Sequence, residues 1–144
     1  MDVMIDLETL GTCPDAAIIQ VGAVLFEPLF GGKIMNGKGF NRHVLVCDNG
    51  GTIDHGTLCF WLAEKSAASM AEALSTKADF LGHVLQDFAE WPVKLGLNWE
   101  AIGGVWASPS DFDIPILKSA FARVGTSVPW DRRATRDART LFNL

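Results

Sequence analysis

The sequence predicts an α/β fold in which a three-stranded antiparallel meander leads into parallel strands flanked by helices. Three observations predict it. Within residues 3–46, short apolar runs rich in β-branched residues alternate with turns of Gly, Pro, Asp and Asn. From residue 54 onward the apolar spacing changes to threes and fours, the helical period. One further apolar run, residues 102–107, lies between helical stretches, as a strand added to the sheet by a crossover would.

The elements follow in order. Residues 3–7 form a short, buried, central strand, and Gly11-Thr12-Cys13-Pro14-Asp15 turns the chain. Residues 17–26 (AIIQVGAVLF) form a second strand whose near-continuous apolar character implies burial on both faces. A loop over 28–39 holds Gly31-Gly32 and Gly37, and a third strand over 40–46 closes the meander. Asp54 caps a helix running to about Lys65, with Leu58, Trp61 and Leu62 on its inner stripe. A short helix opens at Ser66 or Ser69 and runs to Leu74. Thr76 caps the longest helix, with Asp79 three residues on as in a capping box. Its apolar stripe is Phe80, Val84, Leu85, Phe88 and Trp91, and Pro92 weakens or ends it. Residues 102–107 are the fourth strand. Residues 114–124 form a helix stopped by Gly125, with Ile116, Leu117, Ala120 and Phe121 inward. Residues 132–136 read as an edge strand and 139–144 as the start of a helix.

A chain of 144 residues builds one core, and 49% hydrophobic with 20% charged residues is globular composition. No apolar run approaches a membrane span, and Asp2 and Asp6 interrupt the first apolar stretch, so neither a membrane segment nor a signal sequence is expected. Cys13, Cys47 and Cys59 are odd in number and lack Cys-x-x-Cys spacing, which points to reduced thiols in a cytoplasmic protein. The net charge of −5 is unevenly spread. Residues 1–117 hold six Lys and Arg against fifteen Asp and Glu, whereas 118–144 hold six against two. An acidic body with a basic end binds a polyanion locally, provided cations neutralise the acids at the contact.

Candidate chemistry begins at Asp6-Leu7-Glu8. Side chains alternate along a strand, so Asp6 and Glu8 project from one face about 6–7 Å apart. Like charges so close repel unless a cation lies between them, and hard divalent ions prefer carboxylate oxygen. Trp106-Ala107-Ser108-Pro109-Ser110-Asp111-Phe112-Asp113 then leads from the fourth strand into a helix. Asp111 and Asp113 both suit helix capping, and Asp113 is preferred as a third ligand because a helix starting there faces the end of the first strand. Asp6, Glu8 and Asp113 together would suit one or two Mg²⁺ or Mn²⁺ ions. His43, His55 and His83 read as surface or satisfied histidines. Trp61, Trp91, Trp106 and Trp130 read as core or rim packing, with Trp99 left open.

These residues carry a resemblance. Asp6-Leu7-Glu8-Thr9-Leu10-Gly11-Thr12, followed by Ala17-Ile18-Ile19-Gln20-Val21-Gly22-Ala23-Val24, resembles the first motif of the DEDD 3′→5′ exonucleases. The chain is most similar to their phage exodeoxyribonuclease and Rv-type exoribonuclease branch. Thr57-Leu58-Cys59-Phe60-Trp61, Phe112-Asp113-Ile114-Pro115-Ile116-Leu117, Pro129-Trp130 and Arg136-Asp137-Ala138-Arg139-Thr140-Leu141 extend the similarity over nearly the whole chain. The resemblance implies a ribonuclease H-like fold. It implies Asp6, Glu8 and Asp113 as three of four metal-binding acids around two Mg²⁺ or Mn²⁺ ions. Thr9 and Leu10 would hold the terminal nucleotide by backbone contact and an apolar wedge, with Phe112 beside them as a further substrate-binding residue. Asp137 is not the fourth acid and is expected to pair with a neighbouring Arg.

Two departures accompany it. Ser108-Pro109-Ser110-Asp111 replaces the family's Asn-Gly before Phe-Asp. The family's last motif, a His and a final Asp on a later helix, does not fall within the 144 residues. The expectation is a single domain lacking the C-terminal catalytic helix, with weak metal binding and reduced or no turnover; a nucleic-acid-binding relative without activity is the alternative. The expected partner is the 3′ end of single-stranded DNA or RNA, with DNA favoured. The expected setting is the cytoplasm, of the host if phage-encoded. Apolar sheet surface left by the absent helix would favour a homo-oligomer.

Overall fold

Strand β1 (Asp2–Thr9) occupies the middle of a mixed sheet. In the computed structural model, which describes residues 1–29, 32–63 and 66–142, the sheet runs β3-β2-β1-β5-β6. Strand β2 (Ile18–Glu27) pairs antiparallel with β1, and both β3 (Lys33–Ile34) and β4 (Phe40–His43) pair antiparallel with β2. Strands β5 (Val105–Ala107) and β6 (Thr135–Asp137) add in parallel on the other side. Helices α1 (His55–Leu62), α2 (Ala67–Ala73) and α3 (Leu81–Lys94) follow the meander. Helix α4 (Ser110–Arg123) connects β5 to β6, and α5 (Arg139–Phe142) follows β6. The expected meander, central first strand and parallel additions are all present.

The strand alternation builds the core. Val3, Ile5 and Leu7 of β1 point to one face, with Val84, Leu85 and Phe88 of α3 and Ile116, Leu117 and Ala120 of α4 in the same buried cluster. Phe88 is fully buried, and Phe40, Trp91, Trp99, Phe121 and Trp130 surround it at 5.4–6.5 Å between ring centroids. The contacts with Phe40, Phe121 and Trp130 are edge-to-face, and such pairs add about 0.5–1.5 kcal/mol each beyond area burial. Trp99, left open by the sequence, is a core residue. A second, smaller core of Leu10, Ala17, Ile19, Trp61 and Ala73 docks α1 and α2 against the start of β2.

Several boundaries differ from expectation. The 28–39 loop contains β3, only two residues long and too short to show alternation. The third strand stops at His43, and a 3₁₀ turn (Val46–Asp48) follows. The longest helix begins at Leu81, not Thr76. Asp79 is the reason: its N–H donates to the His43 carbonyl and its carbonyl accepts from Leu45, which extends the chain and forbids a helical turn there. Its carboxylate accepts from Arg42 of β4 and from the Phe80 N–H instead of forming a box with Thr76. Phe80 is therefore exposed, as is Leu62 of α1 at 75%. Pro92 sits in the last turn of α3, where it removes one i→i−4 hydrogen bond near the helix end, and the helix continues to Lys94. The fourth strand is confined to Val105–Ala107; just before it, Gly103 and Gly104 lie close against the Asp2 carboxylate. Helix α4 starts at Ser110, four residues early, and residues 132–134 form a 3₁₀ turn before β6. Gly125, at φ +81°, stops α4 as expected. Gly31, the helix end expected at Lys65 and residues 143–144 of the expected last helix lie outside the described residues.

No helix among the described residues is long and apolar enough to cross a membrane. Cys13, Cys47 and Cys59 are all exposed and unpaired.

Candidate active site

Since Ile5 and Leu7 face the core, Asp6 and Glu8 face the other side of the sheet. There Asp6 stands opposite Gly22 and Glu8 opposite Gln20 of β2. Glycine at 22 carries no side chain to fill the space beside Asp6. Beyond its pairing with β5, which ends at Met4 with Trp106, β1 has no parallel neighbour to accept the next N–H groups. Helix α4 enters that gap. Asp113 in its first turn, only 3% exposed, accepts the Leu7 N–H on Oδ1 at 3.2 Å. The third acid is thus bonded to the amide of the residue between the other two.

The electrostatics reflect that convergence. Burial raises the Asp6 carboxyl above its ordinary value. Burial raises Glu8 as well, and the charges of Asp6 and Glu72 push the same way. Asp113 is pushed up to about 6, chiefly by burial and further by Asp6 and Glu8, while the Leu7 N–H works against the rise. No Lys or Arg forms an ion pair with any of the three among the described residues. An acid cluster without a compensating cation is what a hard divalent ion relieves, so the donor set fits Mg²⁺ or Mn²⁺. Among the described residues, however, no three ligand side chains already stand in a metal-holding group. The acids converge without forming a closed cage.

Two grooves meet at Glu8. One, of about 710 Å³, runs over Asp6, Gln20, Gly22 and Asn41, with Ser69 and Glu72 of α2 along it. The other, of about 370 Å³, is lined by Leu7, Thr9, Phe60, Trp61 and Phe112. Thr9 and Phe112 thus border the groove as the resemblance implies. Leu10 does not: it is 3% exposed and packs inside the small core, so its side chain offers no wedge in this conformation. Phe60, 63% exposed, presents the apolar surface instead. Trp61 fixes the groove's floor by donating Nε1–H to the Thr9 carbonyl at 2.8 Å. Sequence reasoning placed Trp61 in packing and missed Glu72 and Phe60. The Phe60-Trp61 pair at the end of the capped helix was the available signal; for Glu72, on a short helix without clear periodicity, there was none.

The remaining candidates resolve simply. Asp137 accepts first from Arg139, which holds its carboxyl well below the usual range, and then from Ser110 N–H and Oγ–H, which lower it further and tie β6 to the start of α4. Asp111 is exposed and reached by Arg139 at 3.3 Å. His43 contacts the Ala73 carbonyl, His55 pairs with Cys59, and His83 with Asp79. The Ser108–Pro109 peptide that replaces the family's Asn-Gly approach is cis.

No curated protein matches the chain significantly. Among solved structures it is similar to cell-death related nuclease 4 (CRN-4), at 20% identity and a TM-score of 0.57, over 83% of this chain and 38% of that one. It is also similar to E. coli Exonuclease I, solved in complex with a dT13 oligonucleotide, at 16% identity and a TM-score of 0.61, over 99% of this chain and 29% of that one. At such identities the likeness shows the fold, which is ribonuclease H-like. The chain spans less than two fifths of either protein. The Rv2179c-like 3′-5′ exoribonuclease domain matches residues 1–144 in full, and the chain belongs to that family.

Proposed function

We propose that the protein hydrolyses the terminal phosphodiester of a single-stranded nucleic acid from its 3′ end, releasing nucleoside monophosphates with Mg²⁺ or Mn²⁺ as cofactor. The observation that carries the reading is the Asp113 hydrogen bond to the Leu7 amide, which brings a third carboxylate to the Asp6–Glu8 pair. Asp6, Glu8 and Asp113 would hold the ions. Bound divalent cations supply charge neutralisation at the scissile phosphate and a water acidic enough to attack it. Burial raises all three carboxyls, Asp113 to about 6, so protons compete with metal for these ligands.

The groove beside Glu8 would take the terminal nucleotide. Phe60 and Phe112 offer apolar surface to its base and sugar, and the Thr9 backbone, held by Trp61, lies against it. The sequence favoured DNA; the family's description as exoribonuclease turns the preference to RNA. Exposed, unpaired thiols suit a reducing compartment, and we place the protein in the cytoplasm.

A 5′-labelled single strand, offered as RNA and as DNA with Mn²⁺, tests the reading. Stepwise shortening from the 3′ end by wild type, lost in Asp6→Asn, is the expected result, with RNA shortened faster. Equal activity of the two proteins would reject Asp6 as part of the site. Metal-dependent binding without shortening would favour the non-cutting relative.

A further inference from the structure

The basic end of the chain has a defined position relative to the acids. Strand β6 is the edge of the sheet among the described residues, beyond β5. Met4 pairs with Trp106 and Trp106 with Arg136, and partners in a parallel ladder share a face. Met4 in turn shares its face with Asp6 and Glu8. Arg136 therefore stands on the same face of the sheet as the catalytic pair. Two strand spacings and two residues along β1 put the backbones of Arg136 and Asp6 about 12 Å apart.

The surroundings match a nucleic-acid track. Arg132 and Arg133, on the turn into β6, are exposed, as is Arg136. None of the three is in an ion pair among the described residues, whereas Arg42 and Arg139 both are. The Arg136 guanidinium bonds the carbonyls of Arg133 and Thr135, which fixes it against the strand and leaves its other N–H groups free. Between Arg136 and the acids lies Trp106, half-buried and held by an Nε1–H bond to Asp2 at 2.7 Å and edge contact with Phe26. Such a fixed indole is suited to stacking a base.

We propose that Arg132, Arg133 and Arg136, with Trp106 beside them, form a strip that grips the phosphate backbone of single-stranded RNA upstream of the 3′ end. The polarity of the strand rests on the exonuclease reading; the grip itself does not. The strip offsets the repulsion between a polyanion and a body carrying fifteen acids over residues 1–117.

The test is binding of a 5′-fluorescent RNA of about twelve nucleotides, in Ca²⁺ across a salt series, by wild type and by the triple variant R132Q/R133Q/R136Q. The variant should bind more than tenfold more weakly at low salt, with the slope of log affinity against log salt shallower by about two, since each single-strand phosphate contact contributes about 0.7. The triple Lys variant should keep most of the slope, and thermal melts of both should match wild type because the substituted side chains are exposed. Hydrolysis of a dinucleotide, too short to reach the strip, should be equal in wild type and R132Q/R133Q/R136Q. Unchanged affinity and slope in the Gln variant would overturn the strip, even with wild-type hydrolysis intact. Absent hydrolysis in wild type would overturn the exonuclease reading, while a loss of RNA affinity in the Gln variant would still support the strip.

Discussion

Asp113 ties the stability of the fold to the proposed function. Its folded pKa of about 6 exceeds the ordinary value of 3.8, so the folded state holds this proton at pH values where the unfolded chain has released it. The stabilisation is therefore fully present below pH 4 and is lost as pH rises through 6. Allowing for solvent screening, the loss is at most about 2 kcal/mol. Two outcomes are expected. Asp113→Asn should raise the melting temperature of the metal-free protein at pH 7.5 while abolishing hydrolysis. Mn²⁺ should raise the melting temperature of wild type at pH 7.5 and have little effect at pH 5, where the carboxyl is mostly protonated; equal stabilisation at both pH values would contradict this role. Trp61 acts through the backbone: Trp61→Phe leaves the Thr9 carbonyl without its N–H, which should cost about 1–3 kcal/mol in chemical denaturation and raise KM more than it lowers kcat.

Among the elements, α1 depends on its cap. Asp54 accepts the Thr57 N–H at 2.8 Å and its hydroxyl at 2.9 Å, so Asp54→Ala should cost about 1 kcal/mol, measured by urea denaturation. Gly51 is more critical, because a Cβ there would lie 2.5 Å from the Ala17 backbone; Gly51→Ala should broaden or abolish the cooperative melt. Strands β1 and β2 were legible in the sequence because β-branched runs bounded by turn residues have few alternatives. The α3 start was not: Thr76 and Asp79 have capping spacing, but the backbone of Asp79 is taken by the end of β4. The alternation of β1 made Asp6 and Glu8 readable as a pair, and the Phe-Asp motif made Asp113 readable as their partner. That the Leu10 side chain joins the small core was not legible, because the motif carries no information on which core it enters. Glu72 and Phe60 reach the site only through the docking of α1 and α2, a tertiary event that local pattern does not record.

Over the whole molecule, one sheet organises the candidate chemistry. Its covered face holds the aromatic core around Phe88, and its other face carries Asp6, Glu8, Trp106 and Arg136 in register. The two grooves meet at Glu8, so the acids are open to approach from different sides. This division makes the fold's stability largely independent of the polar face, and Asp6→Asn should melt within about 1 kcal/mol of wild type while losing activity. The most direct measurement of the central claim is anomalous scattering from crystals grown at pH 7.5 and soaked in Mn²⁺. The account predicts a manganese peak bounded by the carboxylates of Asp6, Glu8 and Asp113. Manganese bound elsewhere on the protein, with nothing between those three acids, would contradict it.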